Sequence, residues 1–358
     1  AIVRVLVGGA VASAFGYVGW AIMALVLVRL VAQRLFGVNL TDYLGFAAPI
    51  FNLISGVADI IEQAVIRPGT SLAWIPMVQL ETGNPNPQIT STVHPAFAVV
   101  DITARTEVAA LRTSLDRTLS RVVSQPTAVD FSPDGAVALI VNMASDDLVL
   151  MRAATRAETG ILPVGSAPQG VAVTPDGGKA YVSNYLGRSV TVVAVADPAA
   201  ASILKTVQVT AEPLPSSVIN GKRLFFTSRG RMSTDNRIAC ISCHPHGGHD
   251  GRDWNFTRLG EGIRNTTDIQ GIVDSGAVHW TANMDELQDL EFNIRNIQFG
   301  AGLIDGTPND PFGPPNAGRS QDLDDFAAFM DSMMKPVRGN PNRAAGGGLT
   351  AAGGRGKA

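Results

Sequence analysis

Cysteine is almost missing: Cys240 and Cys243 are the only two in 358 residues. A chain this long buries a core without covalent ties, and one pair of thiols three positions apart excludes a framework of structural disulfides. Charge is sparse as well. Twenty-eight Lys and Arg against 31 Asp and Glu leave a formal charge of −3, which gives no footing for nucleic-acid binding or for a polybasic patch on an anionic membrane. Partners therefore have to be argued from sites. What is present is unevenly spread. Aliphatic residues crowd the first sixty positions, Gly and Pro crowd the last fifty, and only the middle reads as an ordinary soluble domain.

Val5 to Val28 is a run of 24 residues without a charged side chain, enough helix to cross a hydrocarbon core about 30 Å thick. The run leads into Arg29 and Arg34 instead of a small-residue cleavage site, so the expectation is a retained transmembrane helix. A second apolar stretch, Tyr43 to Ala58, is interrupted by Pro49 and Asn52 and leaves a two-span hairpin open. Gly8, Ala12 and Gly16 fall on one face of the first span, where small side chains let a neighbouring helix approach.

The middle repeats itself. "SQPTAVDFSPDGAVALIVN" from Ser124 matches "SAPQGVAVTPDGGKAYVSN" from Ser166, with Pro126 and Pro168, Asp134 and Asp176, and Asn142 and Asn184 each 42 apart. Each copy reads as strand, P-D-G turn, strand, turn, strand, which is one propeller blade's worth of chain. "FAVVDITARTEVAAL" before the pair and "PSSVINGKRLFFTS" after it read as partial copies. The segment "VTPDGGKAYVSNYLGRSVTVV" resembles the YVTN-type β-propeller repeat, and the resemblance covers about residues 90 to 228. A closed propeller needs at least about four blades. Two good copies and two fragments read as a partial propeller: either the remaining blades are too degenerate to recognise, or the open strand edge is completed by another chain or left as an incomplete array.

One motif carries chemistry: "RIACISCHPHGGH", residues 237 to 249. C-x-x-C-H is the spacing by which two thiols add to the vinyl groups of haem c while the adjacent His244 serves as axial ligand. Two rivals stand beside it. Cys240, Cys243, His246 and His249 have the ligand types of a Cys₂His₂ zinc site, with tighter histidine spacing than usual, and a C-x-x-C redox dithiol would need a βαβ context that the flanks do not offer. On the haem reading His246 and His249 are solvated loop residues.

The flanks bear on that choice. "GKRLFF" from Gly221 resembles the opening helix of cytochrome c domains, which implies that Phe225 packs near the haem edge. "CISCHPHGGHDGRDW", "RNTTDIQGI" and "AVHWTANMDELQDLEFNIRNIQFGAGL" resemble the cytochrome domains found with YVTN propellers and, more distantly, di-haem peroxidases, although this chain has one C-x-x-C-H where those have two. The resemblance implies that His279 and Trp280 lie on the distal side of the haem. The second axial ligand is then His279, favoured, or Met284, or none. Met284 is expected at the start of a helix carrying Leu287, Leu290, Ile294 and Ile297 at helical spacing.

The expected architecture is multidomain: a membrane anchor over 1–66, propeller-like repeats over 67–220, an α-helical cytochrome c domain over 221–338 and a flexible Gly-rich tail over 339–358. The expected function is that of a monohaem c-type cytochrome. It is anchored in the inner, energy-transducing membrane with its soluble part periplasmic, and passes single electrons to a redox-partner membrane complex. Other subunits dock on its span and propeller edge. A peroxidase-like enzyme with an open distal site and a propeller scaffold are the alternatives.

Overall fold

The computed structural model describes residues 58–59, 61–84, 92–272, 276–333, 349–351 and 354–355, all within one compact unit, Gly56–Ala358. The expected span Val5–Val28 with its small-residue face, the stretch from Tyr43 to Val57, and most of the tail lie outside the described residues. Among the described residues no helix is long and apolar enough to cross a membrane.

The described part is mostly β-sheet. In the first sheet β1 (Ala58–Asp59) and β2 (Val65–Ile66) pair with β3 (Leu72–Leu80), which runs antiparallel to β4 (Val93–Asp101) along its whole length; β5 (Thr106–Glu107) and β6 (Thr113–Ser114) pair with β4. The segments "LAWIPMVQL" and "VHPAFAVVD" are apolar nearly throughout instead of alternating, and β4 is accordingly buried on both faces.

Two four-stranded antiparallel meanders follow: β7 (Pro126–Phe131), β8 (Val137–Asn142), β9 (Asp147–Arg152) and β10 (Glu158–Pro163), then β11 (Pro168–Val173), β12 (Lys179–Asn184), β13 (Ser189–Ala194) and β14 (Ser202–Gln208). These are the propeller-like blades that the repeat predicts. Its 42-residue period is also a period of backbone conformation. Gly135 and Gly177 both turn at φ 69°, and Gln125 and Ala167, like Asp146 and Arg188, repeat a left-handed residue at each strand junction. Asp134 and Asp176 close their turns by accepting from the amides of Ala136 and Gly178 at 3.0 and 2.9 Å.

The sheets stack face to face. Trp74 stacks on Phe97 at 4.1 Å and meets Phe131 of β7 edge-on at 5.3 Å, while Leu139, Val141, Leu148 and Leu150 of one blade pack on Ala180, Val182 and Val193 of the next. The Asp130 carboxylate crosses between the blades to accept from the Val173 amide at 2.7 Å.

After β14 the strand pattern ends. The segment read above as a blade fragment, "PSSVINGKRLFFTS", instead holds a helix, α1 (Ser216–Phe226), because Ile219, Gly221, Phe225 and Phe226 present one buried face. A hairpin of β15 (Asp253–Phe256) and β16 (Gly262–Asn265) and two more helices, α2 (Glu291–Asn296) and α3 (Gln321–Ser332), complete the region. An α-helical domain is not what these residues form: the three helices are 11, 6 and 12 residues long, separated by Gly-, Asn- and Asp-rich turns. Met284 likewise does not open a helix. It closes a loop by accepting from the Val278 amide at 2.8 Å, and a 3₁₀ turn over Leu287–Leu290 leads into α2.

Helices α1 and α3 meet through Phe225, Phe326 and Phe329. The approach is so close that a Cβ on Gly221 would stand 1.8 Å from the Asp325 carbonyl oxygen, so glycine is required there. One hydrophobic cluster joins this region to the blades, running from Met143, Ala144, Ala167 and Leu186 to Phe225, Met284, Ile294 and Phe326. At the edge of that cluster Arg229 donates to the Ser145 carbonyl at 2.5 Å and to the Asp147 carboxylate at 2.6 Å.

Asp147 is fully buried, and burial pushes its pKa up to about 6 against the opposing pull of Arg229 and Arg121. A folded value above the ordinary 3.8 means that the folded state holds the proton more tightly; the associated stability is complete at low pH and drains away as pH rises through about 4 to 6. Urea unfolding of the wild type against Asp147→Asn should show this as a difference that falls by at most about 3 kcal/mol across that window and is flat above it.

Candidate functional site: a motif turn on the wall of an apolar cavity

The C-x-x-C-H segment folds as a single tight turn. A 3₁₀ helix over Cys240–Ser242 lets the Cys240 carbonyl accept from both the Cys243 amide at 3.2 Å and the His244 amide at 2.9 Å, which sets the two thiols and the imidazole around one turn of chain. Blade residues hold it. Ser242 Oγ accepts from the Ala239 amide and donates to Gln125 Oε1, both at 3.2 Å, and Ser124 Oγ donates to the Arg237 carbonyl at 2.7 Å. Arg237 in turn pairs with the buried Asp116, to which His94 is also hydrogen-bonded at 3.0 Å. Those partners hold the Asp116 carboxyl well below the usual carboxylate range, against its burial.

Cys240, Cys243 and His244 line one cavity of about 350 Å³, within the size range of small-molecule and cofactor pockets. Phe225, Ile238, Ile269, Leu290, Ile294 and Phe326 make much of its wall apolar, and Glu261, Arg264, Asn265, Thr266, Trp280 and Asn283 bring polar groups to it. No disulfide joins the cysteines. Burial pushes the Cys240 thiol up to about 11, so it is protonated near neutral pH, unlike the thiolate that a redox dithiol uses. Burial also lowers the His244 pKa, more than the Gly248 carbonyl beside it raises it. Nδ1 of His244 lies 3.1 Å from that carbonyl oxygen. The neutral ring donates Nδ1–H there and keeps its lone pair on Nε2, the arrangement of a metal-binding histidine with an oriented partner.

Of the other residues singled out in the sequence, Phe225, His279, Trp280 and Met284 all border the same cavity. His279 sits at φ 72°, its Nδ1 2.9 Å from Asn283 Oδ1 and its Nε2 2.9 Å from Asn293 Nδ2, so both ring nitrogens are engaged. Trp280 is 61% exposed, with its indole N–H donating to the Asn265 carbonyl at 2.7 Å. Met284 is buried. Met330 also reaches the cavity wall, from α3. His246 and His249 are exposed, and among the described residues no three His, Cys, Asp or Glu side chains form a group able to hold a metal ion.

Sequence reasoning did not find Asn293, Gln298, Arg264 or Thr266. Nothing in their spacing marks them, since they converge only through the hairpin and the 278–284 loop. Yet Gln298 Oε1, Thr266 Oγ1 and Arg264 Nε are buried atoms without a hydrogen-bond partner among the described residues, although Glu261 forms an ion pair with Arg264 at 3.6 Å. Buried polar atoms are normally satisfied, so orphans on a cavity wall point to an occupant. An apolar macrocycle with carboxylate substituents suits this mixture: the hydrocarbon wall takes the ring, and Arg264 with Thr266 offers donors to a carboxylate.

No family model matches the chain, and no curated protein matches it. Solved structures do. Hydrazine synthase of Kuenenia stuttgartiensis is 16% identical with a TM-score of 0.34, over 39% of this chain and 46% of that one. The WD40 repeats of RRP9 are 16% identical at 0.31, over 43% and 40%. The dihydro-haem d1 dehydrogenase NirN is 19% identical at 0.26, over 40% and 26%. The match thus spans less than half the length of each.

The exposure of His246 and His249 generates a test of the zinc reading. Elemental analysis of the wild type and of the double variant His246→Ala/His249→Ala should find no stoichiometric zinc in either, and zinc lost on substitution would restore the four-ligand site.

Proposed function

We propose that the chain carries one haem c, bound through thioethers at Cys240 and Cys243 with His244 as axial ligand, and that it passes single electrons. The observation that carries the reading is the single turn that puts two thiols and an oriented neutral imidazole on the wall of an apolar cavity. When bound, the haem supplies a one-electron iron couple whose potential the protein sets through axial ligand, burial and hydrogen bonding. The residues around it do the rest. Burial keeps His244 neutral and the Gly248 carbonyl aims it; Phe225, Ile294 and Phe326 exclude water; Arg264 and Thr266 would hold carboxylates at the rim.

For the second axial position we favour Met284 over His279, reversing the preference drawn from sequence. His279 has a hydrogen-bond partner at each nitrogen, whereas Met284 borders the cavity at the closing bridge of the same loop. Met330 projects from the packed helix α3. Electron transfer is favoured over peroxide turnover because Glu261 is the only carboxylate among the described residues lining the cavity, and Thr281 and Asn283 already bind it. The reading places the haem region on the periplasmic side of the inner membrane, anchored by Val5–Val28, with a redox-partner membrane complex.

A second reading, a propeller that docks other subunits, draws on β14: all seven of its residues are exposed, including Ile203, Leu204 and Val207. An open, apolar strand edge of this kind is usually covered.

The electron-carrier reading is tested by spin state. The wild type should be low-spin and six-coordinate, Met284→Ala should turn the ferric protein high-spin, and His279→Ala and Met330→Leu should leave it low-spin. A high-spin wild type would instead support an enzyme with an open distal site.

A further inference from the structure

Gln298 lies on the cavity wall beside the first cysteine of the motif, 5% exposed. Its carboxamide Nε2 donates to Cys240 Sγ at 3.3 Å, and its Oε1 is a buried acceptor with no partner among the described residues. A carboxamide is costly to bury half-satisfied, so its retention at this spot calls for a use. Gln298 follows α2 at the end of the Asn293–Gln298 turn, where its own amide donates to the Asn293 carbonyl at 3.1 Å. The turn is itself tied to the blade-held segment before the motif, because Gly300 packs so tightly on Arg231 and Met232 that a Cβ there would come within 2.3 Å of the Arg231 carbonyl oxygen. The side chain is therefore delivered to Cys240 by fixed backbone and not by a mobile loop.

We propose that Gln298 is the positioning residue for covalent attachment at Cys240: its amide N–H fixes the sulfur in the rotamer that faces the cavity. The proposal rests on the haem reading and concerns one of its two bonds. In the attaching step the Cys240 thiol adds across a vinyl group. The sulfur–carbon bond forms at the vinyl carbon next to the ring, the thiol hydrogen goes to the outer carbon, and the carbon–carbon double bond becomes single. No electrons leave the pair of reactants, so neither oxidant nor reductant is consumed. The thiol keeps its own hydrogen for this addition, and Gln298 engages a sulfur lone pair without taking that hydrogen away.

Cys243 has a different setting. Its carbonyl accepts from the Asp250 amide at 3.0 Å, whereas the Gln298 carboxamide is bonded to the Cys240 sulfur, so loss of the carboxamide should weaken attachment at Cys240 first. Gln298→Met keeps volume and removes both polar atoms. The test is the pyridine-haemochrome spectrum of the full-length denatured variant, which distinguishes a haem with one residual vinyl group from one with none, together with mass mapping of the free cysteine. A hydrogen bond of ordinary strength changes a population about fivefold, so the singly attached fraction should rise about fivefold over the wild type, with free Cys240 and bonded Cys243. A doubly attached haem in Gln298→Met at wild-type yield would overturn the assignment, as would loss at Cys243 in place of Cys240. Should that variant give no soluble chain, Gln298→Glu, which keeps size and polarity but cannot donate as the carboxylate, is read by the same spectrum with the same two outcomes. Absence of covalent haem from the wild type would sink the haem reading itself, whereas a doubly attached variant beside a doubly attached wild type sinks only the role of Gln298.

Discussion

The turn at Cys240–His244, closed by one carbonyl that accepts two amides, is the constraint on which the rest of the site depends. A turn this tight has no core of its own and is held from outside. The blades supply Ser124 and Gln125, residues at the strand junction that recurs every 42 positions. The propeller-like part therefore does more than sit beside the site: its repeated junction is a mould for the motif. The shared hydrophobic cluster from Met143 to Phe326 makes the same point in apolar terms, because neither part could bury that surface alone.

Much of this was legible in the chain and some was not, for physical reasons. The blades were legible because a P-D-G turn with an Asp that accepts its own turn amides and a Gly at positive φ is a local device, written in adjacent residues. The motif turn was legible for the same reason. Helix α1 was harder: "PSSVINGKRLFFTS" has enough Val, Leu and Phe to pass for a strand, and only its packing on α3 through Gly221 selects the helix. The helical reading of the residues after Met284 held over 287–296 but not at its start, because the spacing of Leu287, Leu290 and Ile294 fits a 3₁₀ turn followed by a short helix as well as one long helix. Asn293 and Gln298 carried no sequence signal at all. Their positions come from where a six-residue helix ends relative to a cavity assembled from many separate stretches of chain.

Electrostatics in the fold divide by location. Asp116 is stabilised as an anion by Arg237 and His94 next to the motif, whereas Asp147, buried between blade and helical region, is pushed toward its neutral form. The two carboxylates are thus shifted in opposite directions: the partners outweigh burial at Asp116, and burial outweighs Arg229 and Arg121 at Asp147. The one nearer the motif is the one kept charged, and it steadies the arginine that leads into Cys240.

The central claim is a covalent bond, and intact-mass measurement of the denatured, full-length protein tests it most directly. If the account is right, the chain runs heavier by the mass of one haem, and the increment maps to the peptide holding Cys240 and Cys243. A chain at its bare polypeptide mass, with both thiols free to alkylate, would contradict it.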